Sequence, residues 1–571
     1  MAKRTRAEIL RLIDDNRPSP SLVKRYEDDY ALYHLDEYDA GEGYQSYTSS
    51  APKVFADKII SFIVKSSTIL RVPRRQANVH ARSAEGENGD VDAARKVDET
   101  KERFAIGVLR AVDECLMRTG VPPVKDQWGF YATVRGGPVM GRALLVKRVK
   151  QVEDSDEEET ETFPEILPWD PLHVSYQRGY DGLLWAAYTT EMTRAEIKSE
   201  YGVTIPSDSQ SDGEPVSVHH FYDAEDSFTL TEDKWLKRRT RHGSPRVPVV
   251  FASVGAQPIV RSNAGRSDDS ENNESVFKSM RATNDKNNFI HSILLELAGR
   301  MREPSWKVFS ADGTKTLDED PSKSGSELSL ARDREDVQQL QPVESTRDVA
   351  AVLGLISGEQ QRATLPNSLY GELPFQLSGF AIGQLRQGAE TPLDPALNAV
   401  TEALRQSVNL LTDQYMTDQY DTLNLSGEDR MRHYFSEEIT PQMLRKGGDY
   451  QIKLSPQLPR DDPAKYAMAQ MAKELQLPQD FIWDEILEIQ DTDNFMDRIM
   501  LDIGMRGMPE AGMWEISQAM LRQGRPDLAQ MYFMQFMIAM QQKLMQAQMS
   551  GMGPGGPGGP GVPGGPPGGP G

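Results

Sequence analysis

The chain has 571 residues and a mass of 63.9 kDa, with 38% apolar residues, a mean hydropathy of −0.56 and a net charge of −22. A pI near 5.0 argues against a protein that coats nucleic acid by neutralising phosphates, because such proteins carry basic faces. The one cysteine, Cys115, excludes a disulfide framework or a multi-cysteine zinc site within one chain.

At roughly 100–200 residues per domain the length predicts about three to five lobes. The start, MAKRTRAEILRLIDD, is basic and then amphipathic and lacks the apolar stretch of a signal peptide. No run approaches the ~18 apolar residues of a membrane span. The expectation is a soluble protein of a reducing cytoplasm.

The first 120 residues read as helices. Pro18–Ser21 starts one over Leu22–Tyr38. Val54–Leu70 places Phe55, Ile59, Phe62, Ile63 and Ile69 near helical spacing, and Pro73 stops it. Ser83–Asp90 reads as a polar loop. Asp92–Arg118 puts Phe104, Val108, Ala111, Val112 and Cys115 on one stripe, which predicts Cys115 as a buried small residue. From Val139 to Val260 the period changes to strands: VMGRALLVKRV, EILPWDPLHVSY, GLLWAAYTTEM, VSVHHFYD and RVPVVFASV. Thr193 and Glu196 form a capping-box pattern for one short helix between them. The acidic run Asp154–Glu161 reads as a solvated loop, since like charges resist ordering.

After Gly265 the pattern is helical again. Ser275–Arg302 carries Val276, Met280, Phe289, Ile290, Ile293, Leu294, Leu297 and Met301, a helix on the order of 40 Å long. Pro304 ends it. Trp306–Phe309 and Val337–Val343 look like strands around a polar loop. A second helix starts at Ser345 and runs to about Ala363. Between Leu365 and Gly388, two prolines and four glycines break regular structure, yet Tyr370, Phe375 and Phe380 keep the segment apolar, as in loops that serve a function or pack on a partner. Asp394-Pro395 opens a strong helix, with Asp as N-cap and Pro at N1. YQIKLSP reads as a strand. From Asp461 the chain is helical to about Gln548 and rich in Met, an adaptable packing residue. Of the last 22 residues, 19 are Gly or Pro without a strict three-residue period, which predicts a disordered tail.

Nucleotide and metal motifs are absent from the sequence. Gly-Lys occurs nowhere, which excludes a P-loop, and there is no H-E-x-x-H, G-x-S-x-G or C-x-x-C. Gly136, Gly137 and Gly141 read as a turn into a strand. His219 and His220 lie on an alternating strand and point to opposite faces, so they do not share a metal. No constellation is catalytic.

The order of these segments resembles the portal protein, or head–tail connector, of tailed double-stranded DNA bacteriophages over roughly residues 20–545. WDPLHVSYQRGYDGLLWAAY is similar to the wing β-region of portals. FKSMRATNDKNNFIHSILLELAGRMREPSWKVF is similar to the first stem helix running into the clip. DVAAVLGLISGEQQRATLPNSLYG resembles the second stem helix running into the tunnel loop, and GAETPLDPALNAVTEALRQSVNLLTDQY the long wing helix. LPRDDPAKYAMAQMAKELQLPQDFIWDEIL resembles the segments leading to the crown. The resemblance implies an α+β, portal-like subunit: a mixed wing lobe over 1–270, stem helix one over 271–303, a small β-containing clip over 304–344 and stem helix two over 345–363. The tunnel loop follows over 364–390, the wing helix and return strand over 391–460, the helical crown over 461–549 and a disordered Gly/Pro tail over 550–571. It further implies a homo-oligomeric ring, usually a dodecamer, at one capsid vertex of a virion assembled in the host cytoplasm. Its partners would be passing double-stranded DNA, terminase, major capsid and scaffolding proteins, and head-completion or tail adaptor proteins. No membrane, cofactor, metal or enzymatic activity is implied.

The charge agrees with that expectation. About twelve copies would carry roughly −264 formal charges, and a lumen of acids and neutral residues would let DNA slide. Candidate channel-lining residues are Arg281, Lys286, Arg300 and Arg302 on the first stem helix, Arg362 and Arg386 flanking the tunnel loop, and Tyr370, Phe375 and Phe380 within it. Two other readings compete: a DNA-processing enzyme such as a carboxylate–metal nuclease, and a monomeric scaffold or adaptor.

Overall fold

The computed structural model describes residues 4–42, 44–72, 88–151, 158–205, 214–255, 273–302, 305–310, 335–340, 351–356, 379–417, 419–428, 434–444, 449–456, 462–475, 477–479, 482–487 and 526–550, with isolated residues between them. Thr5 and Glu8 close a reciprocal capping box that starts α1 (Arg6–Asp15). Ser19 caps α2 (Pro20–His34), with Pro20 at its first position. α3 spans Ala51–Val64 and buries Phe55, Ile59 and Ile63. The helix expected to reach Leu70 stops at Val64, and β1 (Ser67–Arg71) takes its last residues. Thr68 and Ile69 are β-branched, and an antiparallel partner, Gln451–Ser455, is available to them. α4 (Asn88–Arg118) buries Phe104, Val108 and Val112 as the spacing predicts, while Cys115 is half-buried rather than enclosed.

α5 (Val124–Phe130) runs into a π-helical turn, Tyr131–Arg135, that Gly136 ends in the left-handed region at φ +60°. The strands β2 (Val139–Gln151), β3 (Glu158–Trp169), β4 (Val174–Gly179) and β5 (Gly182–Thr193) follow. The acidic run is not a loop throughout: Glu158–Glu161 belong to β3, opposite Gln151–Arg148 of β2. α6 (Arg194–Tyr201) starts at the expected capping box of Thr193 and Glu196. β6 (Pro215–Asp223), β7 (Asp226–Leu230), β8 (Trp235–Arg241) and β9 (Val249–Ala252) complete the lobe.

Two antiparallel sheets result, one of three strands ordered β3-β2-β9 and one of five ordered β4 to β8. The five-stranded sheet alternates as the sequence does. Ala186 and Tyr222 face Met140, Trp169 and Val249 of the other sheet, while Trp185, Ala187 and Phe221 face Ile9 and Ile13 of α1. His219 and His220 therefore point apart. His219 is buried on a 2.9 Å hydrogen bond to Thr189 Oγ1. Burial, aided by the Arg142 charge, pushes His220 down to about 4.

α7 (Arg281–Arg302) begins later than expected, after a turn over 276–280 in which Phe277 and Met280 are fully buried. β10 (Trp306–Phe309) and β11 (Asp336–Gln339) pair as the expected small β-module, and residues 351–356 are helical. α8 runs from Gly379 to Tyr415 with Pro392 and Pro395 inside it. The expected start at Asp394 is thus a position within a longer helix. The residues around Gly383 and Gly388 are helix formers, and an internal glycine costs only about 1 kcal/mol against alanine. Residues 364–378 of the expected tunnel loop lie outside the described residues. From Leu393 onward α8 is the axis of the main core, with Val400, Ala403, Val408, Leu411 and Tyr415 packed against α3, α4 and α5.

The hairpin β12 (Leu423–Glu428) and β13 (Tyr434–Ile439), the short α9 (Pro441–Leu444) and β14 (Gln451–Ser455) close this core, β14 pairing with β1. Gly107 of α4 lets Leu425 of β12 approach where a Cβ would lie 2.7 Å away. Two glutamines on α8 satisfy sheet edges. Gln406 accepts from Phe251 N and donates to Phe251 O, both at 3.0 Å. Gln414 accepts from Leu145 N at 2.7 Å. The chain divides into two compact units, Met1–Ala464 and Lys465–Gly571, fewer than the length suggests because helices from both halves of the first unit share one core. In the second unit, α10 (Asp462–Glu474) contributes Ala472 to a small cluster with Ile482 and Trp483. α11 (Pro526–Ser550) leaves Met531, Met534, Met537 and Ile538 exposed. The Gly/Pro tail, 551–571, lies outside the described residues. Among the described residues no helix is long and apolar enough to cross a membrane.

Two expected outcomes follow from this core. The Tyr415 hydroxyl accepts from Leu423 N at 3.2 Å and donates to Ile439 O. Tyr415→Phe should cost about 1–3 kcal/mol of unfolding free energy in urea titration, since Leu423 N–H is left without that acceptor. Three histidines, His219, His220 and His242, are each lowered first by burial. They bind protons more readily unfolded, so the stability they contribute is complete above about pH 6.5 and falls as pH drops toward 4. His220→Gln should flatten the dependence of melting temperature on pH across that window.

Candidate functional site

The long helix α7 is held at its base by a buried ion cluster. Asp29 lies on the buried stripe of α2 with Tyr26, and it is fully enclosed. Its Oδ1 accepts from Arg281 Nε at 2.6 Å, and its Oδ2 accepts from Arg281 Nη2 and Ser275 Oγ, both at 2.7 Å. Bidentate pairing of this kind fixes direction as well as distance. Arg281 Nη2 also donates to Glu274 Oε2 at 3.1 Å, and Glu274 in turn faces Arg25 at 3.5 Å and Lys278 at 3.6 Å. Burial alone would lower the Arg281 guanidinium, but its hydrogen bonds to Asp29 and the charges of Asp29 and Glu274 raise it instead.

The chain enters this cluster over Gly136. A Cβ there would stand 1.9 Å from Ser275 N, so only glycine lets the two backbones cross. Beside it, Val276 N donates to Thr133 O at 3.2 Å. Arg135 bonds Asp170 and the Tyr26 carbonyl and lies over the Tyr30 ring.

Above its base α7 is inverted. It buries a polar face of Asn284, Asn287, Asn288 and Ser292. The segment 45–49 runs along that face: Tyr47 N donates to Ser292 Oγ and Ser49 N to Asn288 Oδ1, each at 3.0 Å, and the Tyr47 ring lies 4.7 Å from His291. Phe289 and Ile293 point away from it, 54% and 39% exposed. A helix normally does the reverse.

The candidate cations do not share one role. Arg281 is committed to Asp29 and Glu274 inside the subunit. Lys286 and Arg302 are exposed, but sixteen residues at 100° each place them about 160° apart around the helix. Lys286 falls on the side of Phe289 and Ile293, and Arg302 on the side of Asn288. Arg362, Tyr370 and Phe375 lie outside the described residues, as do the side chains of Arg300, Phe380 and Arg386. The backbones of Phe380 and Arg386 belong to α8 rather than to a loop. Asp29 escaped the sequence reading, with one signal, an acid three residues from Tyr26 on an otherwise apolar helical stripe. Gly136 is the expected turn into a strand, but its contact with Ser275 had no signal, because it joins positions far apart in the chain. Among the described residues no three His, Cys, Asp or Glu side chains gather as metal ligands would.

No family model matches the sequence, and no curated protein matches it. Among solved structures the chain is similar to one from the virion of a native gene transfer agent particle, at TM-score 0.38 and 11% identity, covering 80% of this chain and 89% of that one. It is similar also to one from the neck of an empty gene transfer agent particle computed with C6 symmetry, at TM-score 0.36 and 11% identity over 79% and 90% of the two chains. A third, from the neck of the native particle computed with C12 symmetry, gives 0.32 and 13% over 69% and 91%.

The clamp yields a direct test. Asp29→Ala or Arg281→Met alone should each lower unfolding free energy by about 3 kcal/mol, because the remaining partner is stranded. The double variant should lose clearly less than the sum, a coupling read from a double-mutant cycle in urea.

Proposed function

We propose that the chain is the subunit of a portal-type ring at the head–tail junction of a phage-like particle, with double-stranded DNA passing through the ring. The observation that carries this reading is the inverted helix α7, rigidly anchored at Asp29, polar toward its own subunit and apolar outward. Such a face is stable in water only when a neighbour covers it, and identical copies around an axis supply that neighbour repeatedly. The short hairpin of β10 and β11 after α7 and the helical residues 351–356 follow in the order of clip and second stem helix. The net charge of −22 suits a channel wall from which phosphates are repelled.

On this reading the protein catalyses no reaction. Its partners are terminase, capsid and scaffolding proteins and tail adaptors, and it resides in the virion. Purified protein should form rings of about twelve copies in light scattering and negative-stain images. Phe289→Glu with Ile293→Glu should leave the melting temperature of the lobe within a few degrees and give monomers. A wild-type chain that stays monomeric across salt and concentration would overturn the reading. Deleting residues 365–378 should leave rings intact and impair DNA retention in particles.

A further inference from the structure

One strand of this acidic protein is strongly cationic. β8 is an edge of the five-stranded sheet and pairs only with β7. Its second half, Lys237-Arg238-Arg239-Thr240-Arg241, is exposed at five consecutive positions, whereas a strand lying on a core buries every other side chain. Arg239 is committed to Asp226 and Glu225. Lys237, Arg238 and Arg241 form no ion pair among the described residues. One lysine is enough to guard an edge against stray pairing. Three unpaired cations on one short stretch exceed that need.

The matching counter-charge lies on the same chain. Residues 36–44 carry Asp36, Glu37, Asp39 and Glu42 and no cation, and all four acids are exposed. They sit on an arm folded back on itself by its own side chains. Tyr38 N donates to Thr48 Oγ1 at 2.9 Å, Ala40 N to Ser46 Oγ at 3.2 Å and Gly41 N to Asp39 Oδ1 at 2.8 Å. Gly41 makes the turn in the left-handed region, at φ +99°. The base of the arm is the segment 45–49, bonded to Ser292 and Asn288 of α7. Asp36, Glu37 and Glu42 form no ion pair among the described residues. Both sets of charges are thus unpaired inside one subunit.

We propose that the β8 edge docks the acidic arm of a second copy of this chain, with Lys237, Arg238 and Arg241 of one subunit facing Asp36, Glu37 and Glu42 of the next. The inference rests on the ring reading above and names a polar contact that closes the ring. Two unlike patches that complement each other make a head-to-tail contact, which repeats around an axis. The arm is fastened to α7, so one anchored unit presents both the apolar residues Phe289 and Ile293 and the acids. Copies of net charge −22 repel one another. Cations set against acids where the copies touch offset that repulsion and fix which way round the copies meet. A phosphate polymer is the poorer occupant of the strand. Glu225, Asp226, Glu232 and Asp233 stand just ahead of it in the chain, and such a polymer leaves the arm without a partner.

The test reverses charge in the full-length protein. Lys237→Glu with Arg238→Glu and Arg241→Glu reverses the strand. Asp36→Lys with Glu37→Lys and Glu42→Lys reverses the arm. All six side chains are exposed, and unchanged melting temperatures verify that each variant is folded. In sedimentation velocity at fixed salt, each reversal alone should raise the concentration needed for assembly at least about tenfold. The arm reversal is the sharper of the two. It moves the net charge from −22 toward zero, so general self-repulsion by itself would make assembly easier, not harder. Both reversals combined in one chain should restore wild-type assembly, because acids and cations have only changed sides. A wild type that assembles while either single reversal assembles equally well, or a combined variant that does not recover, overturns this proposal and leaves the ring reading standing. A wild type that stays monomeric overturns both.

Discussion

A single enclosed carboxylate orients a 22-residue helix that carries apolar side chains on its outer face. Asp29 has no water to fall back on, so its two oxygens must be satisfied by Arg281 and Ser275, and leaving any of them unpaired is expensive. The consequence reaches along α7. Its first residue is tied in two places to a fully buried acid, while Phe277 and Met280 immediately before it are sunk in the core. A lever of 22 residues, about 33 Å long, is therefore rigid at its root. Whatever its outer face meets, that face is delivered in one direction.

The lobe that provides this root is itself organised around α8. Two prolines inside a helix ordinarily remove hydrogen bonds and bend it, yet the helix continues because Leu393, Ala396 and Leu397 around them are buried among residues of α3, α4 and α5. Gln406 and Gln414 then do for the sheet what another strand would do. Gln406 presents a donor and an acceptor to Phe251, and Gln414 an acceptor to Leu145, where the ladder of β2 and β9 has run out. A sheet edge that would otherwise invite pairing with another chain is closed by side chains.

The surfaces left open contrast with this closure. α7 shows Phe289 and Ile293, α11 shows methionines, and the wall beside α1 shows Leu184. α7 and the wall beside α1 lie on elements whose opposite sides are packed or bonded, whereas no described residue of α11 is buried. The outer face of α7 joins the apolar Phe289 and Ile293 to the cation Lys286.

Local chemistry made much of the fold legible in the sequence. The capping box at Thr193, the period-2 run VSVHHFYD with its opposed histidines, and the stripe Phe104, Val108, Val112 depend only on neighbours a few residues away. The α+β class and the order of helix, small hairpin and helix were decided in the same way. Other features were settled by partners distant in the chain. Ser67–Arg71 became a strand because Gln451–Ser455 pairs with it. Glu158–Glu161 became a strand because β2 continues opposite them, and Asp394 became a helix interior because the core holds the helix across its prolines. The site divides along that line too. Periodicity alone announces a long helix over Ser275–Arg302 and the apolar residues on it, though not its start at Arg281. Only the tertiary structure decided that its polar side turns inward, because Asp29 and the backbone of residues 45–49 lie hundreds of positions away in the chain, and a hydrogen-bond partner at that separation leaves no periodicity to read.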